Sequence, residues 1–318
     1  MTSPTPDRAG SALSVVVVTK NRPESLLRCI KSLALIDDVV TEILVADDSD
    51  MPVLEALQEL PPSLLGRIQF SRQPAGGYIV ARNSMMRSAT NDYVLSLDDD
   101  AFLVDGAGIR RGVGLLQADP RVAVVACAQA EADGSLWHAS MQPAPVSYRC
   151  YVPAFIGFAC LVRRWLFLQI GGYQEGYVYY GEEKDCSLRA LDAGYHIVYM
   201  PDVKVAHVPD PSGRNQSRYI RHVIRNDCLF ALYNEPFPIP FVTVPLRLGR
   251  YFAMRRHGRV HDPGGLRWIL RELVSSLPDT WRKRKPVRLA TIRRWWQIGR
   301  EQPAYSPEPP AMDLSKSA

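Results

Sequence analysis

The stretch Leu13-Ser-Val-Val-Val-Val-Thr19 is apolar almost throughout, so a strand built from it must be covered on both faces. The next segment can supply one cover. Residues 22–35 carry Leu26, Leu27, Ile30 and Leu33 at helical spacing, and residues 42–48, EILVADD, return to a buried-strand pattern. The alternation continues with a short strand within 63–72, a helix over 76–90 and a strand over 92–100. A chain that alternates in this way builds an α/β sheet of nucleotide-binding type.

Beyond residue 100 the spacing predicts a strand over 122–130, a turn at Asp133-Gly134, and a strand over 155–164 feeding a short helix that Gly171-Gly172 stops. A helix over 181–195 has acids in its first turn and Gly194 at its end. One or two short strands lie between His196 and Val208. Residues 266–277 and 287–300 show helical apolar spacing with basic faces.

In open α/β sheets the ligand sits at the carboxyl ends of the strands. Three predicted strands end there in polar clusters: Thr19-Lys20-Asn21-Arg22, Asp47-Asp48, and Asp98-Asp99-Asp100. No GxxxxGK[ST] occurs, and GAGIRRG (106–112) has the wrong glycine spacing for a dinucleotide loop. A phosphate site here needs a divalent cation, and paired carboxylates supply the hard oxygen ligands that Mn²⁺ or Mg²⁺ takes. In an extended segment Asp98 and Asp100 face one way and Asp99 the other. Taken singly, the triplet reads equally as an acidic turn, Glu182/Glu183/Asp185 as favourable charge at a helix N-terminus, and His207 as a loop histidine.

The order of these pieces resembles the family 2 glycosyltransferases, inverting enzymes of the GT-A fold that use nucleotide-diphosphate sugars. The resemblance spans about residues 13–235. It rests on VVVVTKNRPESLLRCIKSL, ILVADDSD, GGYIVARN, LSLDDD, GGYQEGYVYYGEEKDCSLRALDAGY, HVPD and RYIRHVIRND, in that order. It implies a mostly parallel central sheet flanked by helices, with a basic helical C-terminal extension. It implies donor contacts from Thr19, Asn21, Arg22, Asp47, Gly77, Arg82, Asn83, Asp98 and Asp99. Asp100 and His207 would ligate the metal, with Asp98 at the ribose or in the metal shell. The family's Glu-Asp-x-Asp stands here as Glu182-Glu183-Lys184-Asp185, so the expected catalytic base is Glu183, with Glu182 and Asp185 as the alternatives.

The expected organisation is a tail over 1–11, a nucleotide-sugar half over 12–100, an acceptor and catalytic half over 101–235, the basic extension over 236–301 and a disordered tail over 302–318. PDPSGRNQ (209–216) has the composition of a closing loop. The activity implied is metal-dependent transfer from a UDP- or dTDP-linked sugar to a hydroxyl of a glycan, lipid-linked saccharide or natural product. A sugar-phosphate nucleotidyltransferase is the competing enzyme class, but its glycine-rich N-terminal loop is missing from VVVVTKNRPES. A dehalogenase-type phosphatase needs DxDx[TV], where this chain reads DDDAF, and a non-catalytic protein of the same fold is the third alternative.

The net charge of +5 is concentrated at the end of the chain. Trp281 to Arg300 holds eight Lys/Arg and no acid. This suits an anionic membrane surface or a helix pair packed on the core. No nucleic-acid motif accompanies it. The six cysteines form no CxxC pair and read as buried thiols of a reducing compartment. With no secretory pattern and no run near the roughly 20 apolar residues of a membrane span, the expected place is cytoplasmic, peripheral at the inner face of the membrane.

Overall fold

Strand β1 (Leu13–Thr19) is buried along its whole length, between the parallel strands β2 (Val40–Asp47) and β4 (Tyr93–Asp98). A computed structural model of the chain describes residues 12–72, 76–209, 215–257 and 261–307. The expected tail over 1–11, most of the 209–216 loop and residues 308–318 lie outside the described residues. Helix α1 (Pro23–Ser32) begins with proline, whose missing N–H costs nothing at a helix start, and buries Leu26, Cys29 and Ile30.

The short α2 (Pro62–Leu65) leads to β3 (Ile68–Arg72), and α3 (Tyr78–Ser88) carries the chain to β4. After a turn come β5 (Ala101–Leu103), α4 (Gly106–Ala118), β6 (Val122–Ala130), β7 (Cys150–Tyr151), β8 (Ala159–Arg163) and α5 (Arg164–Gln169). Helix α6 (Glu182–Asp192) and β9 (His196–His207) complete the sheet region. The chain ends in the helices α7 (Gln216–Asn234), α8 (Pro240–Arg256), α9 (Gly265–Lys283) and α10 (Leu289–Glu301).

One nine-stranded sheet runs β3-β2-β1-β4-β8-β6-β9-β5, with β7 beside β9. The strands β3, β2, β1 and β4 are mutually parallel, as are β6 and β9, while β8 is antiparallel to both of its neighbours. Side chains from α1 and α4 fill one face, among them Ile30, Ile109 and Val113. Those from α3, α5, α6 and α7 fill the other, among them Met85, Leu166, Leu188 and Ile224. Each fully buried Val or Leu contributes about 1.5–3 kcal/mol, which is why the valine run specifies the centre of the sheet.

One element differs from the sequence expectation. The chain from His196 to His207 is one strand of 12 residues rather than short pieces. Its register against β6 slips between Cys127 and Ala128, opposite the segment that contains Pro201, which has no N–H for the ladder. Residues 240–256, proline-broken in sequence, form a helix. Pro240 takes the first position, and Pro245 forgoes a single intrahelical bond.

Candidate active site

Strand β4 ends at Asp98, and the chain turns through Asp99 and Asp100 into β5. The antiparallel register of β5 on β9 sets Ala101 opposite His207, and the Val208 N–H donates to the Asp100 carbonyl at 3.0 Å. One ligand atom from each of Asp98, Asp100 and His207 can then be chosen so that all lie within 4.8 Å of one another.

The donor chemistry of this cluster fits a hard divalent cation. Gln129 Nε2 donates to the Met141 carbonyl, so its Oε1 is the atom presented to His207 Nδ1, at 2.7 Å. An amide oxygen only accepts, which places the imidazole proton on Nδ1 and leaves Nε2 a bare lone pair. That lone pair faces Asp100 Oδ1 at 3.5 Å, and Asp100 Oδ1 is buried with no hydrogen-bond donor. Two converging lone pairs with no proton between them are what a cation would join. The ring of His207 is stacked between Phe158 and Trp137, at centroid distances of 4.9 and 5.4 Å.

The remaining charge of the triplet is balanced by arginines. Arg82 pairs with Asp98, and Arg22 Nη1 reaches Asp99 Oδ1 at 3.1 Å and Asp100 Oδ2 at 3.2 Å. Asp99 turns away from the cluster and also accepts from the Thr19 hydroxyl at 2.8 Å. Burial raises the Asp99 carboxyl to about 6 against the opposing pull of Thr19 and Arg22.

Other residues expected at the donor serve the loops around it. Asp47 is fully buried and accepts from the backbone N–H groups of Ser49 and Val53. Its neighbour Asp48 keeps a buried Oδ1 without a partner while Oδ2 meets Lys20. Asn21, at φ +55°, exchanges two hydrogen bonds with Asp50 and joins the β1 loop to the β2 loop. Gly77 caps α3 at φ +74° with open space where a Cβ would stand. Asn83 hydrogen-bonds both the N–H and the carbonyl of Tyr173, and so clamps the Gly171-Gly172 turn.

The second acidic cluster stands at the start of α6. The loop before it is held in unusual backbone, with Val178 at φ +63°, Tyr180 at +66° and Gly181 at +99°. A β-branched residue in that region is strained, and the strain persists only where neighbours enforce it. Asn226 does so by donating to the carbonyls of Tyr177, Tyr179 and Tyr180, and Arg225 by donating to those of Gly176 and Tyr177. This turn sets Glu182 and Glu183 side by side. Burial raises both carboxyls, and the Glu182 charge opposes ionisation of Glu183, which is pushed up to about 8. Both Glu182 oxygens lack a hydrogen bond of ordinary geometry, and the nearby Tyr78 hydroxyl acts against the burial effect. Glu183 remains partly exposed. Asp185 is different: it is fully buried and bound by Arg189, Asn234 and the Tyr177 hydroxyl.

The fold thus brings together Asp98, Asp100, His207, Arg82, Glu182 and Glu183. Arg82 couples the two clusters, since its charge favours ionisation of both glutamates while it pairs with Asp98. Sequence reasoning missed Gln129, Trp137, Phe158 and Gly157. Gln129 was visible only as a polar break in an apolar strand. A Cβ on Gly157 would lie 2.1 Å from Glu183 Oε1, so this glycine makes room for the glutamate.

The sheet order and the carboxylate-lined rim are those of a GT-A-like α/β fold. The model of glycosyl transferase family 2 matches residues 14–170 of the chain. An uncharacterized glycosyltransferase of Bacillus subtilis (strain 168), YwdF, is 29% identical over 97 residues, 30% of this chain and 34% of that protein. The chain therefore spans about a third of that relative's length. The mannosyltransferase PcManGT of Pyrobaculum calidifontis, solved with GDP-Man and Mn²⁺, has a TM-score of 0.55 at 18% identity over 94% of this chain and 91% of its own. Residues 1–349 of S. aureus TarS, solved with UDP-GlcNAc, give 0.56 at 16% identity over 86% and 82%. At such identities the likeness is one of fold. No helix among the described residues is long and apolar enough to cross a membrane.

Proposed function

We propose that this chain is a metal-dependent inverting glycosyltransferase, moving a sugar from a UDP- or dTDP-linked donor to an acceptor hydroxyl of a glycan, glycolipid or natural product. One observation carries the reading: an Asp98/Asp100/His207 cluster with an unpartnered Asp100 oxygen and a carboxyl of raised pKa at Glu183 are coupled through Arg82. Among solved structures of similar fold, one holds GDP-Man and Mn²⁺, one UDP, GalNAc and Mn²⁺, and one UDP-GlcNAc.

Asp100 and His207 would hold the cation, with Asp98 beside them. When bound, Mn²⁺ or Mg²⁺ offsets the negative charge that grows on the diphosphate leaving group. Arg82 adds positive charge on the same side, and Arg22 keeps Asp99 and Asp100 compatible with one another. Asp48, with its free buried oxygen, and Asp47 behind it line the donor-base side of the rim.

Glu183 takes the proton of the acceptor hydroxyl as that oxygen attacks the anomeric carbon, and a single displacement inverts the configuration. A base whose pKa lies near neutrality suits this role, because it is ionised often enough to act and basic enough to draw the proton. Asp185 acts at a distance, locking Arg189 and the start of α6. Incubation with UDP- and dTDP-sugars and Mn²⁺, followed for released nucleotide diphosphate and for anomeric configuration by NMR, tests the reading. No turnover or binding with any nucleotide sugar, or product of retained configuration, overturns it.

A further inference from the structure

The outer faces of α8 and α9 belong to no part of the site. On α9, Ile269, Leu273 and Thr280 are buried. About 100° round the same helix runs a second apolar stripe, Leu270, Val274, Leu277 and Trp281, all exposed, with Val274 at 65% and Trp281 at 70%. Beyond that stripe Arg267, Arg271 and Arg282 fall on the next face. On α8, Phe241, Val242, Leu246 and Phe252 point to solvent, with Phe241 at 71% and Leu246 at 67%. Pro245 and Gly249 continue that side without charge, and Arg250, four residues after Leu246, stands at its edge.

The two stripes share one surface. Both helices pack on α7, Phe237 stacks on Phe241 at 5.3 Å and meets Trp281 at 6.0 Å, and Arg284 lies over the Phe237 ring. At the other end the Tyr251 hydroxyl of α8 donates to Asp262, just before α9. Nothing among the described residues covers this face. The segment that carries this face is strongly cationic in sequence: residues 236–301 hold fifteen Lys/Arg and four Asp/Glu, which leaves the rest of the chain net negative.

We propose that the α8–α9 face is a docking surface for an anionic lipid bilayer, on which the protein lies without crossing it. Aromatic and aliphatic side chains enter the headgroup boundary, and the flanking arginines and lysines meet lipid phosphates. The choice of partner rests on charge complementarity. A second copy of the chain would bring two cationic faces together, whereas an anionic surface neutralises them.

The test is co-sedimentation of the full chain with phosphatidylcholine vesicles, with and without phosphatidylglycerol. The expected result is binding to the anionic vesicles that weakens with salt, and little binding to phosphatidylcholine alone. The doubly substituted Leu246→Glu/Val274→Glu protein should lose binding by roughly tenfold or more, because it puts charge into the apolar boundary. Both sites are exposed, so its thermal melt and Mn²⁺ binding should match those of the parent. Reversal of Arg282 and Lys283 to Glu should reduce binding to anionic vesicles only. A parent protein that stays in the supernatant with both vesicle types overturns the proposal. So does a parent dimer by light scattering that the Leu246→Glu/Val274→Glu pair converts to monomer, since that face would then join two chains.

Discussion

Asp98, Asp99 and Asp100 sit among cations, whereas Glu182 and Glu183 sit among tyrosines at the end of a strained loop. In the first cluster each carboxylate meets an arginine, and the group left unsatisfied is a single oxygen of Asp100. In the second, burial acts on both acids, and Arg82, whose charge favours their ionisation, is already paired with Asp98. The first cluster therefore meets cations and leaves one oxygen open to another, while the second is held reluctant to ionise and ready for a proton. Similar residue types at one rim acquire opposite roles because their counter-charges differ.

The largest effect should come from breaking the second cluster. Glu183→Gln keeps the shape and removes the proton acceptor, so transfer should fall by roughly 10²–10⁴ while donor affinity by calorimetry stays unchanged. The pH profile gives the same group a sign. A base works when ionised, so burial that raises its pKa moves activity to higher pH. The parent kcat/KM should rise with pH through the neutral range towards about 8, and bound cation should draw that limb lower. The limb should vanish in Glu183→Gln. Full turnover in that variant would move the base role to Glu182.

Breaking the first cluster separates its members. Asp100→Ala removes the oxygen that faces His207 and should weaken Mn²⁺ binding, measured by electron paramagnetic resonance, and with it transfer, though by less than Glu183→Gln. Asp99→Asn can still accept from Thr19 and should cost far less. Chelation of divalent metal should reproduce the Asp100→Ala result. Equal losses from Asp99→Asn and Asp100→Ala would erase the division of labour within the triplet.

Gln129 carries the same comparison one contact further out. Gln129→Leu leaves His207 Nδ1 without its acceptor, so the proton can move to Nε2 and block ligation. Mn²⁺ affinity should fall about 10–100-fold, the usual cost of losing such a partner. Gln129→Glu, which still accepts from Nδ1, should recover most of it. Unchanged affinity in Gln129→Leu would mean that the stacked rings of Phe158 and Trp137 alone orient the imidazole.

The legible part of the molecule was the part written in local pattern. Apolar runs ending in polar clusters placed β1, β2 and β4, and with them Asp98 and Asp100, because burial and strand ends are properties of neighbouring residues. Gln129, Phe158 and Gly157 were hidden because each acts on a residue 26 or more positions away. Asp185 was grouped with the glutamates on proximity, yet its D-x-x-x-R spacing to Arg189 already carried the i,i+4 ion pair that occupies it.

The smallest effect tests why this chain tolerates glutamate where the family pattern carries aspartate. Gly157 lies against the Glu183 carboxylate so closely that a Cβ there would stand 2.1 Å from Oε1. Gly157→Ala must push that carboxylate aside and should lower kcat, with metal affinity unchanged, because a catalytic group acts only from its productive position. Glu183→Asp alone should also lose activity, its carboxylate falling one methylene short. Combined with Gly157→Ala, the shorter acid no longer meets the added methyl group, so the double variant should lose less than the product of the two single losses. Strict additivity would mean that the space beside Gly157 does not set the reach of the base, and that the strained 178–181 loop alone positions it.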